Sequence, residues 1–173
     1  MLTGRRGFTL VEILVALAIG LILAAAVLPS LMGGADRARI DETAASLLAL
    51  GEAIGAMHAD VGRYPGRLSD LATPVAAGTA DLCGTNYGAT AAAWNGPYLE
   101  RSVPTTGLPL SIGTARDLLA YTAGPPVLHV QLDDVSHADA RSLNRELDAD
   151  ADSAAGAVRW GAESATGVVL LTY

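Results

Sequence analysis

The sequence predicts an α+β fold in which a long N-terminal helix packs against a small antiparallel β-sheet headpiece. Three observations predict it. The run from Phe8 to Met32 is apolar, with Glu12 as its only charge. Further on, Leu47, Leu50, Ile54, Met57 and Val61 recur three or four residues apart, which is one face of a helix. Strand-like runs come only later, at Leu118–Thr122, Val127–Leu132, Ala157–Trp160 and Val168–Tyr173.

Residues 1–7 are short and basic. Residues 8–32, as a helix, would be ~37 Å long, enough to cross a hydrocarbon layer of about 30 Å with some tilt. Arg5 and Arg6 precede the run, and no positive charge follows before Arg37. That asymmetry puts the start on the cytoplasmic side and the remainder across the membrane. Pro29 predicts a kink, because proline removes a backbone donor and crowds the preceding turn. Residues 33–61 read as an amphipathic continuation, with Arg37, Arg39, Asp41, Glu42 and Glu52 largely off the stripe. Gly62 and Pro65 stop it. Residues 62–173 form the headpiece. Its first part, to Pro109, reads as loop around short helical turns such as Arg67–Leu71. A helix is expected over Ser136–Leu147, then an acidic turn over Asp148–Gly156. The stripe needs a cover, and a small sheet is the simplest one.

Composition narrows the function. The chain has 173 residues, 51% hydrophobic and only 5% aromatic, so its core is small and aliphatic. The formal charge is −7, and Arg5 and Arg6 lie before the apolar run, so the rest is more acidic still. Such a surface repels phosphates, and no general nucleic-acid binding is expected. Lysine is absent, which excludes a phosphate-loop lysine, a Schiff base and a Ser-Lys pair. Cys83 is the single cysteine, so no intrachain disulfide forms, and it reads as a small buried hydrophobe. His58, His129 and His137 have no metal-ligand spacing. Ser136, His137 and Asp139 are neighbours in sequence, which is no evidence for a triad, and no G-x-S-x-G occurs. Asp148, Asp150 and Asp152 alternate like the opening of a calcium loop, but the sixth and twelfth positions are Ser153 and Arg159. The reading favoured there is an acidic, solvated turn closed by Gly156. No catalysis and no cofactor are expected.

Glu12 is the anomaly. A secretory signal peptide, with Ala24-Ala25-Ala26 before its cut, gives a carboxylate early in the core no purpose. A plain signal anchor does no better. An acidic residue at a helix centre costs about 2.5–3.5 kcal/mol on insertion scales, and is by default functional. Gly7-Phe8-Thr9-Leu10-Val11-Glu12 resembles the cleavage and methylation motif of type IV pilins and type II secretion pseudopilins. The resemblance implies a pilin-like fold and a leader peptide of residues 1–7. A prepilin peptidase would cut between Gly7 and Phe8, and Phe8 would be N-methylated. Glu12 becomes the fifth mature residue, and Pro29 matches a proline that bends the stem. The free amine at Phe8 stays charged after methylation. An amine and a carboxylate are each costly in lipid, and each removes part of the other's cost. An incoming subunit therefore places its amine beside a neighbour's Glu12.

Gly62–Leu71 and Trp94–Pro104 are similar to segments of major pseudopilins, where Tyr-Pro follows the stem and Gly-Pro-Tyr-Leu follows a tryptophan. Tyr64-Pro65 ends the helix and can lay a ring over its end. Asn95-Gly96-Pro97 aims Trp94 and Tyr98 at one surface. Thr105–Pro109 departs from the Asp-Pro-Trp-Gly-like continuation of those proteins. The resemblance implies a pseudopilus subunit of type II secretion, driving export by filament assembly from the bacterial inner membrane, with its headpiece in the periplasm. Its partners would be like subunits, prepilin peptidase, an inner-membrane assembly platform, other minor pilins or pseudopilins and the lipid bilayer. A major or minor type IV pilus subunit is one alternative. A signal-anchored periplasmic binding or enzymatic domain is the other.

Overall fold

A computed structural model of the chain describes residues 8–122, 127–149 and 156–160; of 26–32, 121–122 and 127 it describes the backbone alone. One helix, α1, runs over Leu10–Val61, continuous through Gly20, Pro29 and Gly33-Gly34. Its start is set by Thr9 and its end by Gly62, whose φ of 73° is left-handed backbone that glycine adopts without a Cβ clash. The chain divides into two compact units, Met1–Ala38 and Arg39–Tyr173.

In the first unit the described side chains are exposed. Phe8, Leu10, Val11, Ile13, Leu14, Val15, Leu17, Ile19, Leu21, Ile22 and Leu23 are the large apolar ones among them. An unbroken apolar surface of this kind is stable only against lipid or another protein. Among the described residues no helix is long and apolar enough to cross a membrane. The expected span over 8–32 runs into positions whose side chains lie outside that description.

The second unit holds the core. Leu47, Leu50, Ile54, Met57 and Val61 are all buried, and Ile40, Thr43, Ala44 and Ala53 extend the stripe. What covers it is a three-stranded antiparallel sheet in the order β1-β2-β5 and a β3-β4 hairpin. The strands are β1, Leu108–Pro109; β2, Thr114–Ala115; β3, Ala120–Thr122; β4, Val127–His129; and β5, Leu132–Asp133. A second helix, α2, runs over His137–Leu147 and buries Ala140, Leu143 and Asn144. Its N-cap is Ser136, whose Oγ accepts from the Asp139 N–H at 3.1 Å. Arg67–Leu71 is a turn of 3-10 helix, Leu68–Leu71, as expected.

The expected strands are shortened, and the hydrogen bonds say why. Leu119 N–H donates to Gly66 O rather than to a sheet, and Leu118 bridges Arg67. Val127–Leu132 divides into β4 and β5, because β4 pairs with β3 while β5 pairs with β2, a ladder that Arg116 N–H extends to Gln131 O. Ala157–Trp160 is not a strand. The N–H groups of Ala157 and Val158 donate to the Asp148 carboxylate at 2.9 and 2.8 Å, so a side chain takes the place of a ladder. Val168–Tyr173 lies outside the described residues. A turn that the sequence pattern does not signal joins β1 to β2; Leu110 N–H donates to Gly113 O, and Gly113 sits at φ 67° where a Cβ would collide with Asp133 O.

A polar seam ties this cover to α1. Thr43 Oγ1 accepts from Ile112 N–H at 3.1 Å and donates to Arg39 O at 2.9 Å. The Arg39 guanidinium donates twice to Ser111 O, and the Ser111 hydroxyl donates to Glu42. The stripe makes a direct prediction for the full chain in detergent. Leu47→Ala removes a fully buried side chain and should cost about 2–5 kcal/mol of stability. Leu48→Ala, one residue along and 53% exposed, should stay within about 0.5 kcal/mol. Denaturant unfolding measures both, and equal losses would overturn the packing.

Candidate functional site

The N-terminal site lies in the first unit. Gly7 is outside the described residues. Phe8 is 82% exposed. Thr9 is the N-cap of α1. Its Oγ1 accepts from Glu12 N–H at 3.2 Å, while Glu12 Oε2 accepts from Thr9 N–H at 3.3 Å and from Thr9 Oγ1 at 3.2 Å. This is a reciprocal capping box, in which the carboxylate satisfies donors that the helix start leaves orphaned. Its negative charge also faces the positive end of the helix dipole. Glu12 thus has a partner within its own chain. The Thr-x-x-Glu spacing in the sequence is the signal of such a box.

The headpiece candidates meet around three buried aspartates. Asp70 Oδ2 accepts from Gly66 N–H and Arg67 N–H at 3.1 Å each, and from Tyr87 Oη at 3.2 Å. Asp117 Oδ1 accepts from Ser69 N–H at 2.8 Å. Asp81 Oδ1 accepts from Cys83 and Thr85 N–H, and its Oδ2 pairs with Arg63 at 2.6 Å. Gly66 must be glycine for this closure, since a Cβ there would meet Ala80 O at 2.5 Å. Burial pushes the Asp70 carboxyl up from its ordinary value, against the hydrogen bonds that favour the anion. Burial and the Asp70 charge raise the Tyr87 hydroxyl, which keeps it a donor.

On this base the two aromatic motifs sit as expected. Tyr64 stacks on His58 near the end of α1, with ring centroids 4.0 Å apart and planes at 19°. Trp94 and Tyr98 meet edge to face at 5.5 Å. Trp94 Nε1 donates to Asp70 O at 2.9 Å, and Tyr98 Oη to Asp60 at 2.8 Å. These rings anchor the loop to the helix. Cys83 is a correction: it is exposed, in a turn where Asp81 Oδ1 accepts from its own N–H and from that of Thr85. His129 is buried in β4, and burial followed by the Arg159 charge lowers its pKa. Both oxygens of Asp148 hold backbone N–H groups. Asp150 and Asp152 lie outside the described residues. Among the described residues no group of three or more His, Cys, Asp or Glu could hold a metal ion.

Residues 2–28 match the family described as the prokaryotic N-terminal methylation motif. The type II secretion system core protein G of Klebsiella pneumoniae is 37% identical over 83 residues, which cover 48% of this chain and 59% of that protein. The protein of the same name from Klebsiella michiganensis is 43% identical over 61 residues, 35% of this chain and 43% of that protein. The chain thus carries that N-terminal motif, and up to about half of its length is similar to type II secretion system core protein G. This pilin-like chain spans about half the length of the curated relatives it matches. No solved structure matches it. Its long helix under a small antiparallel sheet is the pilin-like α+β architecture read from the sequence.

Asp70 gives a pH test. Its folded-state carboxyl titrates above the ordinary 3.8, so folding favours the neutral form. Its contribution to stability is therefore largest below 3.8, declines as the pH rises through the raised value, and is level beyond it. Asp70→Asn does not titrate there. Urea midpoints should show wild type losing ground to Asp70→Asn across that interval; wild type gaining ground would overturn the burial argument.

Proposed function

We propose that the chain is a structural subunit of a type II secretion pseudopilus, driving protein export by filament assembly after processing by prepilin peptidase. One observation carries the reading: the methylation motif at 2–28 stands on a chain similar to type II secretion core protein G. The cut falls between Gly7 and Phe8, Phe8 is N-methylated, and Glu12 receives the Phe8 amine of an adjoining subunit. The exposed apolar face of α1 then exchanges lipid for other copies of itself, a transfer between surroundings of similar polarity. Pro29 bends the stem. The subunit sits in the bacterial inner membrane, N-terminus cytoplasmic and headpiece periplasmic, until assembly draws it out. Its partners are like subunits, prepilin peptidase, the inner-membrane assembly platform and minor pseudopilins. Its role is mechanical rather than enzymatic. The Tyr64-Pro65 and Trp94–Tyr98 anchors support the pseudopilus over a type IV pilus.

The mass of the mature N-terminus tests processing. Loss of residues 1–7 with a methyl group on Phe8 is the expected result, and a chain starting at Met1 or after Ala26 refutes it. Glu12 needs a finer experiment, because it both caps a helix and carries a charge. Glu12→Gln keeps the capping box and loses the charge, whereas Glu12→Leu loses both. Both variants should be inserted and cleaved, and both should yield few filaments. Normal filament yield from Glu12→Gln would show that the cap alone matters.

A further inference from the structure

The chain is acidic overall, yet α2 carries an exposed basic stripe. His137, Arg141 and Arg145 recur every fourth residue and so share one face of the helix. Arg141 Nε donates to His137 O on its own helix at 3.3 Å, and Arg145 Nη2 to Ser142 Oγ at 3.2 Å. Among the described residues neither guanidinium meets a carboxylate. A shallow groove of about 310 Å³ lies over them, lined by Ala138, Arg141, Ser142 and Arg145. Small side chains at Ala138 and Ser142 leave room between two charged forks.

The complement is on α1 of the same unit. Leu48 is 53% exposed, on the side of α1 away from the buried stripe. Glu52, one turn later, is exposed and makes no ion pair among the described residues. Ala45, Ala49 and Gly55 flank them, so nothing bulky shields this turn. An apolar knob followed by an acid matches a small-walled groove followed by two arginines. Guanidinium forks favour a planar carboxylate partner.

We propose that the α2 groove seats the Leu48–Glu52 turn of a second copy of this chain. Leu48 lies against Ala138, and the Glu52 carboxylate sits between Arg141 and Arg145. The inference rests on the reading that copies assemble. Its two surfaces differ, so the contact is heterologous. A heterologous contact that does not close into a ring grows as an open helical filament. The charged half of the contact sets register, and an acidic subunit gains one place where its neighbour is attracted.

The test uses the full chain expressed with its assembly machinery, with sheared filaments quantified and the membrane pool measured beside them. Arg141→Glu with Arg145→Glu should lower filament yield by about tenfold, since it places like charges across the contact. Glu52→Arg should do the same. Combining all three should restore yield to within about threefold, because the charges are exchanged rather than lost. In a Cys83→Ser background, Leu48→Cys with Ala138→Cys should give a disulfide-linked ladder in filaments, and neither single cysteine should. Wild-type filaments together with no rescue and no ladder would overturn the proposal and leave the assembly reading intact. Absence of wild-type filaments would overturn both. Loss of binding to phosphatidylglycerol vesicles in the double arginine variant, unrescued by Glu52→Arg, would make lipid the occupant and overturn it too.

Discussion

One constraint governs the second unit: the face of α1 from Ile40 to Val61 cannot be left in water. Each large aliphatic side chain on it is worth about 1.5–3 kcal/mol when fully buried. The chain has few aromatic residues and no disulfide with which to build a core elsewhere. The helix is therefore the platform, and the headpiece is shaped by what it must cover. Strands of two or three residues would not hold together alone. They persist because Leu108, Ala115, Leu128 and Leu132 close onto that platform.

Short strands leave many backbone donors without a ladder, and buried donors must find acceptors. Aspartates supply them. Asp70, Asp81 and Asp117 take N–H groups from Gly66, Arg67, Ser69, Cys83 and Thr85, and Asp148 takes two more. Carboxylates thus serve as local substitutes for sheet partners. The arrangement has a cost in desolvation, visible as the upward push on Asp70. Tyr87 and the backbone donors offset that cost, which is why this aspartate sits with a tyrosine rather than an arginine. The acidity that repels nucleic acid is partly this internal scaffolding.

The helical parts were legible in the sequence because periodicity survives without tertiary context. The stripe from Leu47 to Val61, the helix expected over Ser136–Leu147 and the turn at Arg67–Leu71 all lie where the sequence pattern puts them. The sheet was not, since its pairing depends on contacts distant in sequence. Val130 and Leu132 belong to one β-prone run, yet its two ends pair with different strands, β3 and β2. Ala157-Val158 has strand composition, yet Asp148 claims its donors. Cys83 shows the same limit: its composition suits a core, but it lies exposed in a turn held by Asp81. At the N-terminus, Gly7, Phe8 and Glu12 are legible as a motif, while the pairing of Thr9 with Glu12 shows only in the structure.

That partner changes how Glu12 is understood. A carboxylate in an apolar run has no purpose if it is alone, but it is not alone. Thr9 gives it two hydrogen bonds and takes one back, so an isolated subunit holds the charge in a satisfied state. In the proposed assembly, an amine from another chain must then compete with a hydroxyl and a backbone N–H rather than with nothing. Charge decides that competition, because an ammonium meets a carboxylate more strongly than neutral donors do, and most strongly where water is excluded. The same box fixes the helix start, so the carboxylate is presented at a defined place on a rigid end. A cap that holds firmly enough to orient the group and weakly enough to yield it is what an exchange of partners during assembly requires.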